Sequence, residues 1–388
     1  MKLKVGLSVI LGVILGTIIG LWSKPPSTKV EIPAFANQNN VLSSESSPRQ
    51  VIGFLPYWNL GNINDFSYDK LTTIHYFALD IDGEGNINKD DGGWQKFKSD
   101  DYENFRTKMA SYPIRAGVTF VSLKADDIAR VVNNKTRQKK LIDNILKIMK
   151  DQDFVDLNFD FEYVGDLDST TIKNYTSLVE NIVTQIHEKI PGSVVSIDVY
   201  ADSVAKKRIF DIPALAKIVD QIIIMGYDFN RLGSVKAGPV APLFGKEKYE
   251  YEIYQSVVDF LESVPPEKLV LAVPFYGYEW PVTDPQPNSF VIPSSKQPQM
   301  ASYKRAMSLA KDNHININFD DESKSAWFSY FDKDSKTYRQ IWFENERSLG
   351  LKFDLVNQAN LTGIGIWALG YDGPGSALLW QTVAEKLR

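Results

Sequence analysis

From residue 50 to the C-terminus, short β-branched or aromatic runs alternate with amphipathic stretches, and no other feature restricts the fold of this chain as much. A parallel strand covered on both faces reads as an apolar run, and the helix that returns the chain reads as a 3.6-residue pattern. Their alternation marks repeated βα units. Strands are predicted at 51–55, 72–79, 114–121, 156–162, 194–200, 221–227, 269–275 and 363–367. Helical patterns fall at 103–111, 136–150, 170–189, 212–218 and 249–261, and 377–387 closes the chain. Eight strands with helices between them predict an α/β fold, a (β/α)8 TIM barrel, in which chemistry sits at the C-terminal ends of the strands. A doubly wound sheet shows the same alternation, but no Gly-rich phosphate loop follows the first strand.

Between the seventh and eighth strands lie about eighty residues more than a plain connection needs. They carry a helical pattern at 303–311, a hairpin-like pair at 326–330 and 338–343, and a second helix at 347–359. The second helix can serve the barrel, which leaves a small α+β insertion between strands 7 and 8 at about 283–345. Lys2 and Lys4 precede an apolar run from Val5 to Trp22, so residues 1–23 read as an N-terminal membrane anchor or a signal. The run would span roughly 27 Å, near a hydrocarbon core, which favours an uncleaved anchor. Residues 24–49 are rich in Pro, Ser and Asn and read as a disordered linker. The domain that folds is then 50–388, and the positive N-terminal flank places it outside the cytoplasm.

Composition limits the chemistry. Lys plus Arg is 43 and Asp plus Glu is 48, a formal charge of −5, so the chain lacks the basic excess that nucleic acid attracts. With no Cys and only three His, disulfides, thiolate zinc sites and cysteine nucleophiles are excluded, and acid or base work falls to carboxylates, tyrosines or lysines. The fourth strand supplies them. In the two-residue period of a strand, Asp156, Asn158, Asp160 and Glu162 share one face and Leu157, Phe159 and Phe161 the other. The apolar face meets the helices, which sends the polar face into the barrel, where clustered carboxylates hold back one another's ionisation. Glu162, nearest the C-terminal end, is the candidate general acid.

Val155-Asp156-Leu157-Asn158-Phe159-Asp160-Phe161-Glu162 resembles the fourth-strand signature of glycoside hydrolase family 18, the chitinase-like enzymes, usually written D-G-x-D-x-D-x-E. Asn158 stands where the middle Asp is usual, a form familiar from the branch with spore-cortex and peptidoglycan hydrolases. Other segments agree in order: Met225-Gly226-Tyr227-Asp228 with the family's M-x-Y-D, Leu271 to Gly277 with its seventh strand, and Gly363-Ile364-Gly365-Ile366-Trp367 with its eighth. The stretch 341–348 is similar to one near the end of the family's small lobe, and Gly53 to Trp58 fits its first strand, with Tyr57 at the exit.

The resemblance implies substrate-assisted hydrolysis of β-linked N-acetylglucosamine polysaccharide, of chitin or peptidoglycan type, with retained configuration and no cofactor or metal. Glu162 would be general acid and base, Asp160 would orient the substrate acetamido group, and Tyr227 would hydrogen-bond its oxygen. Trp367 would form the floor under the sugar, and Asp228 would brace the network or touch the sugar. Met225, Tyr57, Asn158 and Tyr276 complete the expected substrate-binding set. Trp58, Trp280, Tyr200 and Asp202 lie at strand exits where cleft walls are made. A non-catalytic carbohydrate-binding protein on the same barrel is the alternative. Two further segments have bland readings beside sharper ones. Asp80 to Ile87 resembles the start of a calcium loop with Asp91 in twelfth place, yet its flanks read as strand and its Asp-Gly pair as a hairpin turn. Gly373-Pro374-Gly375 could mimic a barrel phosphate site, but no basic side chain accompanies it and a helix-start turn fits better.

Overall fold

The structure, a computed structural model, describes residues 48–388 apart from Asp166, Lys207, Pro374 and Gly375. The expected anchor at 1–23, the linker up to residue 47, and Pro374 and Gly375 of the turn before the last helix lie outside the described residues. Eight parallel strands close into a barrel: β1 (Gln50–Pro56), β2 (Thr73–Asp80), β3 (Arg115–Ser122), β4 (Asp156–Phe161), β5 (Val194–Tyr200), β6 (Gln221–Met225), β7 (Leu269–Pro274) and, after an insertion, β13 (Gly363–Trp367). In the wall, β13 pairs with both β1 and β7. The predicted barrel is the observed one.

The two faces of β4 divide as the two-residue period requires. Leu157, Phe159 and Phe161 are buried outward, and Phe159 meets Tyr175 of the helix Ser169–Lys189 at 6.3 Å between ring centroids. That helix begins where the Asp168 carboxylate accepts the backbone N–H groups of Thr170 and Thr171, and it buries Tyr175, Leu178, Val179, Ile182 and Ile186 at helical spacing. Inside the barrel, Ile52, Phe54, Ile223, Val270 and Ala272 pack together under the C-terminal mouth.

Two helices are shorter than their sequence patterns. The pattern at 212–218 is helical only over Ile212–Leu215, because the Lys268 ammonium binds the carbonyls of Ala216 and Val219 and turns the chain into β6. The pattern at 249–261 is helical over Ile253–Leu261, since Glu250 has φ 65° and Glu252 caps the helix by accepting from Gln255 N–H. The segment resembling a calcium loop is a hairpin: Ile81 bridges Ile87, and the Asp82 carboxylate is occupied by the N–H groups of Glu84 and Asn86. Asp91 caps the helix Gly92–Phe97. Among the described residues no group of three or more His, Cys, Asp or Glu is placed to hold a metal ion.

The insertion is a five-stranded antiparallel sheet made of β8 (Tyr276–Val282), β9 (Gln299–Ser302), β10 (Asn318–Asp320), β11 (Ser325–Asp332) and β12 (Thr337–Phe343), in the order β10-β11-β12-β8-β9. It begins at Tyr276 rather than near 283. Barrel pairing ends at Pro274 opposite Trp367, and after Phe275 the chain pairs Gly277 with Phe343 and continues antiparallel along β12. Gly277 permits this approach, since a Cβ there would lie 2.0 Å from the Trp342 carbonyl oxygen. A buried carboxylate knits the sheet together: Glu279 takes a hydrogen bond from Tyr330 (2.7 Å), ion pairs with Arg305 (2.6 Å) and with the fully buried Arg339.

Candidate active site

The inward face of β4 runs from a structural end to a chemical one. Asp156, at the entrance of the strand, binds the Arg115 guanidinium through both oxygens (2.5 and 2.8 Å) and accepts Val194 N–H, so it fastens three strands at the bottom of the barrel. One step up, Asn158 is fully buried and donates to Asp198 Oδ1 (2.9 Å) and Ser196 Oγ (3.1 Å) on β5. Asp160 follows, 2% exposed, and Glu162 leaves the strand at the mouth, partly buried.

These groups open into a cavity of about 610 Å³, lined by Asp160, Glu162, Asp198, Tyr200, Met225, Tyr227, Asp228 and Trp367 among others. Trp367, at the end of β13, lies nearly parallel to Tyr227 (15°, centroids 6.4 Å apart) and is flanked by Phe77 at 4.5 Å and Phe54 at 6.3 Å. Asp228 adopts φ 60°, which turns the chain off β6, and its Oδ1 accepts the hydroxyls of Tyr276 (2.5 Å) and Tyr278 (3.0 Å) from the lobe.

Electrostatics follows from burial. Asp160 is pushed well above the usual carboxylate range, first by loss of solvent and then by the charges of Glu162 and Asp198. Burial raises Asp198 to about 7, against the hydrogen bond from Asn158. Burial also raises Glu162, while the Tyr200 hydroxyl, hydrogen-bonded to it, favours the ionised form. A group of carboxylates that cannot all ionise near neutral pH keeps a proton to give, as acid catalysis requires. Asp160 Oδ1 has no hydrogen-bond partner among the described residues.

Of the residues expected at the site, Glu162, Asp160, Tyr227, Trp367, Asp228 and Met225 line the one cavity. The other three lie elsewhere. Asn158 is beneath the floor, where it orders Asp198. Tyr276 is buried outside the cavity lining, where its hydroxyl donates to Asp228 and its ring stands edge-on to Tyr227 at 6.5 Å between centroids. Tyr57 packs edge-on against Trp58 at 4.8 Å on the rim, outside the cavity lining. Trp280 is fully buried in the lobe, and its Nε1 donates to the Arg231 carbonyl. Asp198 is the residue the sequence reading passed over. Its signal is the inward face of β5, where Ser196, Asp198 and Tyr200 alternate with Val195, Ile197 and Val199 just as the polar set of β4 alternates with its apolar one. It restores the carboxylate that Asn158 removes from β4.

Residues 50–372 match the glycosyl hydrolases family 18. Similar curated proteins include Bacillus subtilis YdhD, named a sporulation-specific glycosylase (29% identical over 65% of this chain and 56% of that protein), and the cortical fragment-lytic enzyme of Bacillus anthracis (25%, over 81% and 68%). Human di-N-acetylchitobiase is 23% identical over 76% of this chain and 83% of its own. The chain thus spans just over half the length of YdhD. Among solved structures, the Bacillus cereus spore cortex-lytic enzyme SleL superposes with TM-score 0.71 at 20% identity (88% of this chain, 76% of that one). The Ostrinia furnacalis Group IV chitinase gives 0.75 at 20% (87% and 99%). Both share the barrel fold.

Proposed function

The chain belongs to the glycosyl hydrolases family 18, and on that premise we propose that it cleaves polysaccharide containing β-linked N-acetylglucosamine, with Glu162 as general acid and base and the substrate's own acetamido group as nucleophile. The observation that carries this reading is the position of Glu162, a carboxyl whose pKa burial has raised, at the mouth of the cavity and two residues above the buried Asp160. Glu162 gives its proton to the glycosidic oxygen as the acetamido oxygen bonds to the anomeric carbon and the C–O bond breaks. The unpartnered Oδ1 of Asp160 accepts the acetamido N–H, and the developing oxazolinium cation faces a carboxylate in a shielded pocket. Tyr227 donates its hydroxyl to the acetamido oxygen, and Trp367 packs its face against the apolar face of the sugar. Water then attacks the same carbon from the opposite face, the bond to the acetamido oxygen breaks and restores the N-acetyl group, and the water's proton passes to Glu162, so two inversions leave the anomeric configuration retained. Two direct tests are hydrolysis of a chromogenic chitobioside and of purified peptidoglycan by wild type and Glu162→Gln, and inhibition by a thiazoline mimic of the oxazolinium. If the wild type binds chito-oligomers and cleaves neither substrate, the reading fails and a carbohydrate-binding role replaces it.

The Tyr200 hydroxyl gives a pH prediction. Glu162 must be protonated in the free enzyme, so kcat/KM falls as pH rises through its pKa. Tyr200→Phe removes the hydrogen bond that favours the ionised form, so the alkaline limb moves to higher pH. A limb that stays in place or moves down contradicts the assignment.

The reading extends to location: residues 1–23 hold the barrel at the outer face of the membrane through the 24–49 linker. Fractionation tests this. The full chain should sediment with membranes and stay there through an alkaline wash, while a chain beginning near residue 48 should be released. Equal recovery of both in the soluble fraction overturns it.

A further inference from the structure

Strands β4 and β5 run parallel, with Asn158 beside Ser196 and Phe159 beside Ile197. One residue further in the same register, Asp160 stands beside Asp198, and the two-residue period turns both side chains into the barrel. Neighbouring strands lie about 4.8 Å apart, so two carboxyl groups meet here, both buried and both on the cavity lining. Neither makes an ion pair among the described residues. The titratable groups around them are Glu162 above on β4, Tyr200 on β5, Tyr227 and Asp228 after β6, and Tyr175 from the helix Ser169–Lys189. Arg208 stacks on the Tyr200 ring, but both oxygens of Asp202 hold its guanidinium (2.7 and 2.9 Å). Two buried anions side by side repel strongly, and a single proton between them removes the repulsion.

Hydrogen bonds decide where that proton sits. The Ser196 hydroxyl donates to the Leu157 carbonyl (3.3 Å) and accepts from Asn158 Nδ2 (3.1 Å), which fixes the Asn158 amide with its N–H groups toward β5. The same Nδ2 donates to Asp198 Oδ1 (2.9 Å). Asp198 Oδ1 is therefore an acceptor, and a proton on this carboxyl belongs on Oδ2. Across the gap, Asp160 Oδ1 has no partner among the described residues and is the oxygen offered to the acetamido N–H. That leaves Asp160 Oδ2 for Asp198. To face an oxazolinium cation Asp160 must be ionised, and with no cation beside it only a donated hydrogen bond can hold it so.

We infer that Asp198 is a positioning residue for Asp160: anchored at Oδ1 by Asn158, it carries a proton at Oδ2 and donates it to Asp160 Oδ2, which keeps Asp160 ionised with Oδ1 turned to the substrate. This rests on the hydrolase reading above and deepens it. Asp198→Ala removes the donor and should lower kcat/KM on a chito-oligomer by about 10–100-fold, the range for a lost hydrogen bond to a charged group. Asp198→Asn puts a permanent N–H where the protonated acid has its O–H, and should recover about tenfold of that loss. The pH profile separates this role from a merely structural one. As pH rises the wild type loses a proton from Glu162 and another from Asp198, so its alkaline limb is steeper than a single ionisation gives; in Asp198→Asn the limb should show one ionisation. A third measurement needs no hydrolysis. In the full chain carrying Glu162→Gln, infrared difference spectra should show the carbonyl stretch of a protonated carboxyl vanishing near pH 7, since burial raises Asp198 to about 7, and adding Asp198→Asn should abolish that titration. Asp198→Asn as slow as Asp198→Ala, an alkaline limb of unchanged steepness, or an infrared titration that survives Asp198→Asn each overturns the inference. If the wild type cleaves neither chito-oligomer nor peptidoglycan while the titration disappears with Asp198→Asn, the hydrolase reading falls and the pairing of Asp198 with Asp160 stands; hydrolysis with the titration unchanged does the reverse.

Discussion

Glu162→Gln should lower kcat by about 10²–10⁴-fold, the contribution of a positioned general acid, with little change in KM. Gln keeps the volume and one acceptor oxygen of the side chain, so the cavity and the Tyr200 contact survive and only the proton is lost. The expected pattern, a fall in kcat and kcat/KM together, is that of a group acting in the transition state. The neighbours give reason to expect the upper part of the range. Asp160 and Asp198 are buried with raised pKa values, but each lies deeper than Glu162 along the inward faces of β4 and β5 and cannot readily replace it at the glycosidic oxygen. Steady-state hydrolysis of a chromogenic chitobioside measures the effect, with thermal melting to show an intact fold. Activity within tenfold of wild type would remove Glu162 from the acid's role and move attention to Asp160.

The second large effect concerns stability. Lys352 and Glu344 are both fully buried and joined at 2.6 Å, linking the residue after β12 to the helix Glu346–Gln358. Burial lowers Lys352 and raises Glu344, each opposed by the other's charge, so neither partner is comfortable alone. Lys352→Met should cost about 3–5 kcal/mol, because it strands a buried carboxylate. Lys352→Met combined with Glu344→Leu should recover most of that loss, since an apolar pair of similar volume replaces a buried ion pair at little cost. Urea denaturation of the three proteins measures both numbers. A single variant within 1 kcal/mol of wild type would show that Glu344 finds solvent or takes a proton without penalty.

The barrel was legible in the sequence because its strands are continuous apolar runs, and the β4 face because polar and apolar residues alternate there without a break. The beginning of the lobe was not. Residues 269–282 form one strand-prone stretch, and the change of partner at Phe275, from parallel neighbours to antiparallel β12, leaves no mark in a one-dimensional pattern. Tyr57, Tyr276 and Asn158 show a related limit. A position near a strand exit tells which end of the barrel a residue occupies, whereas the cavity is decided by whether the side chain faces the axis, a neighbour or the rim. Asp198 was recoverable from the β5 alternation.

The single residue between β7 and β8 has a further consequence. With only Phe275 as a joint, the lobe is a direct continuation of a barrel strand, and the two tyrosines that hold Asp228 are the first and third residues of β8. The lobe is therefore a poor candidate for transplantation. A foreign lobe spliced in after Phe275 would leave Asp228 partly buried without its donors unless it brought hydroxyls at the first and third positions, so exchange of cleft walls between related barrels should succeed only where that pair travels with the graft.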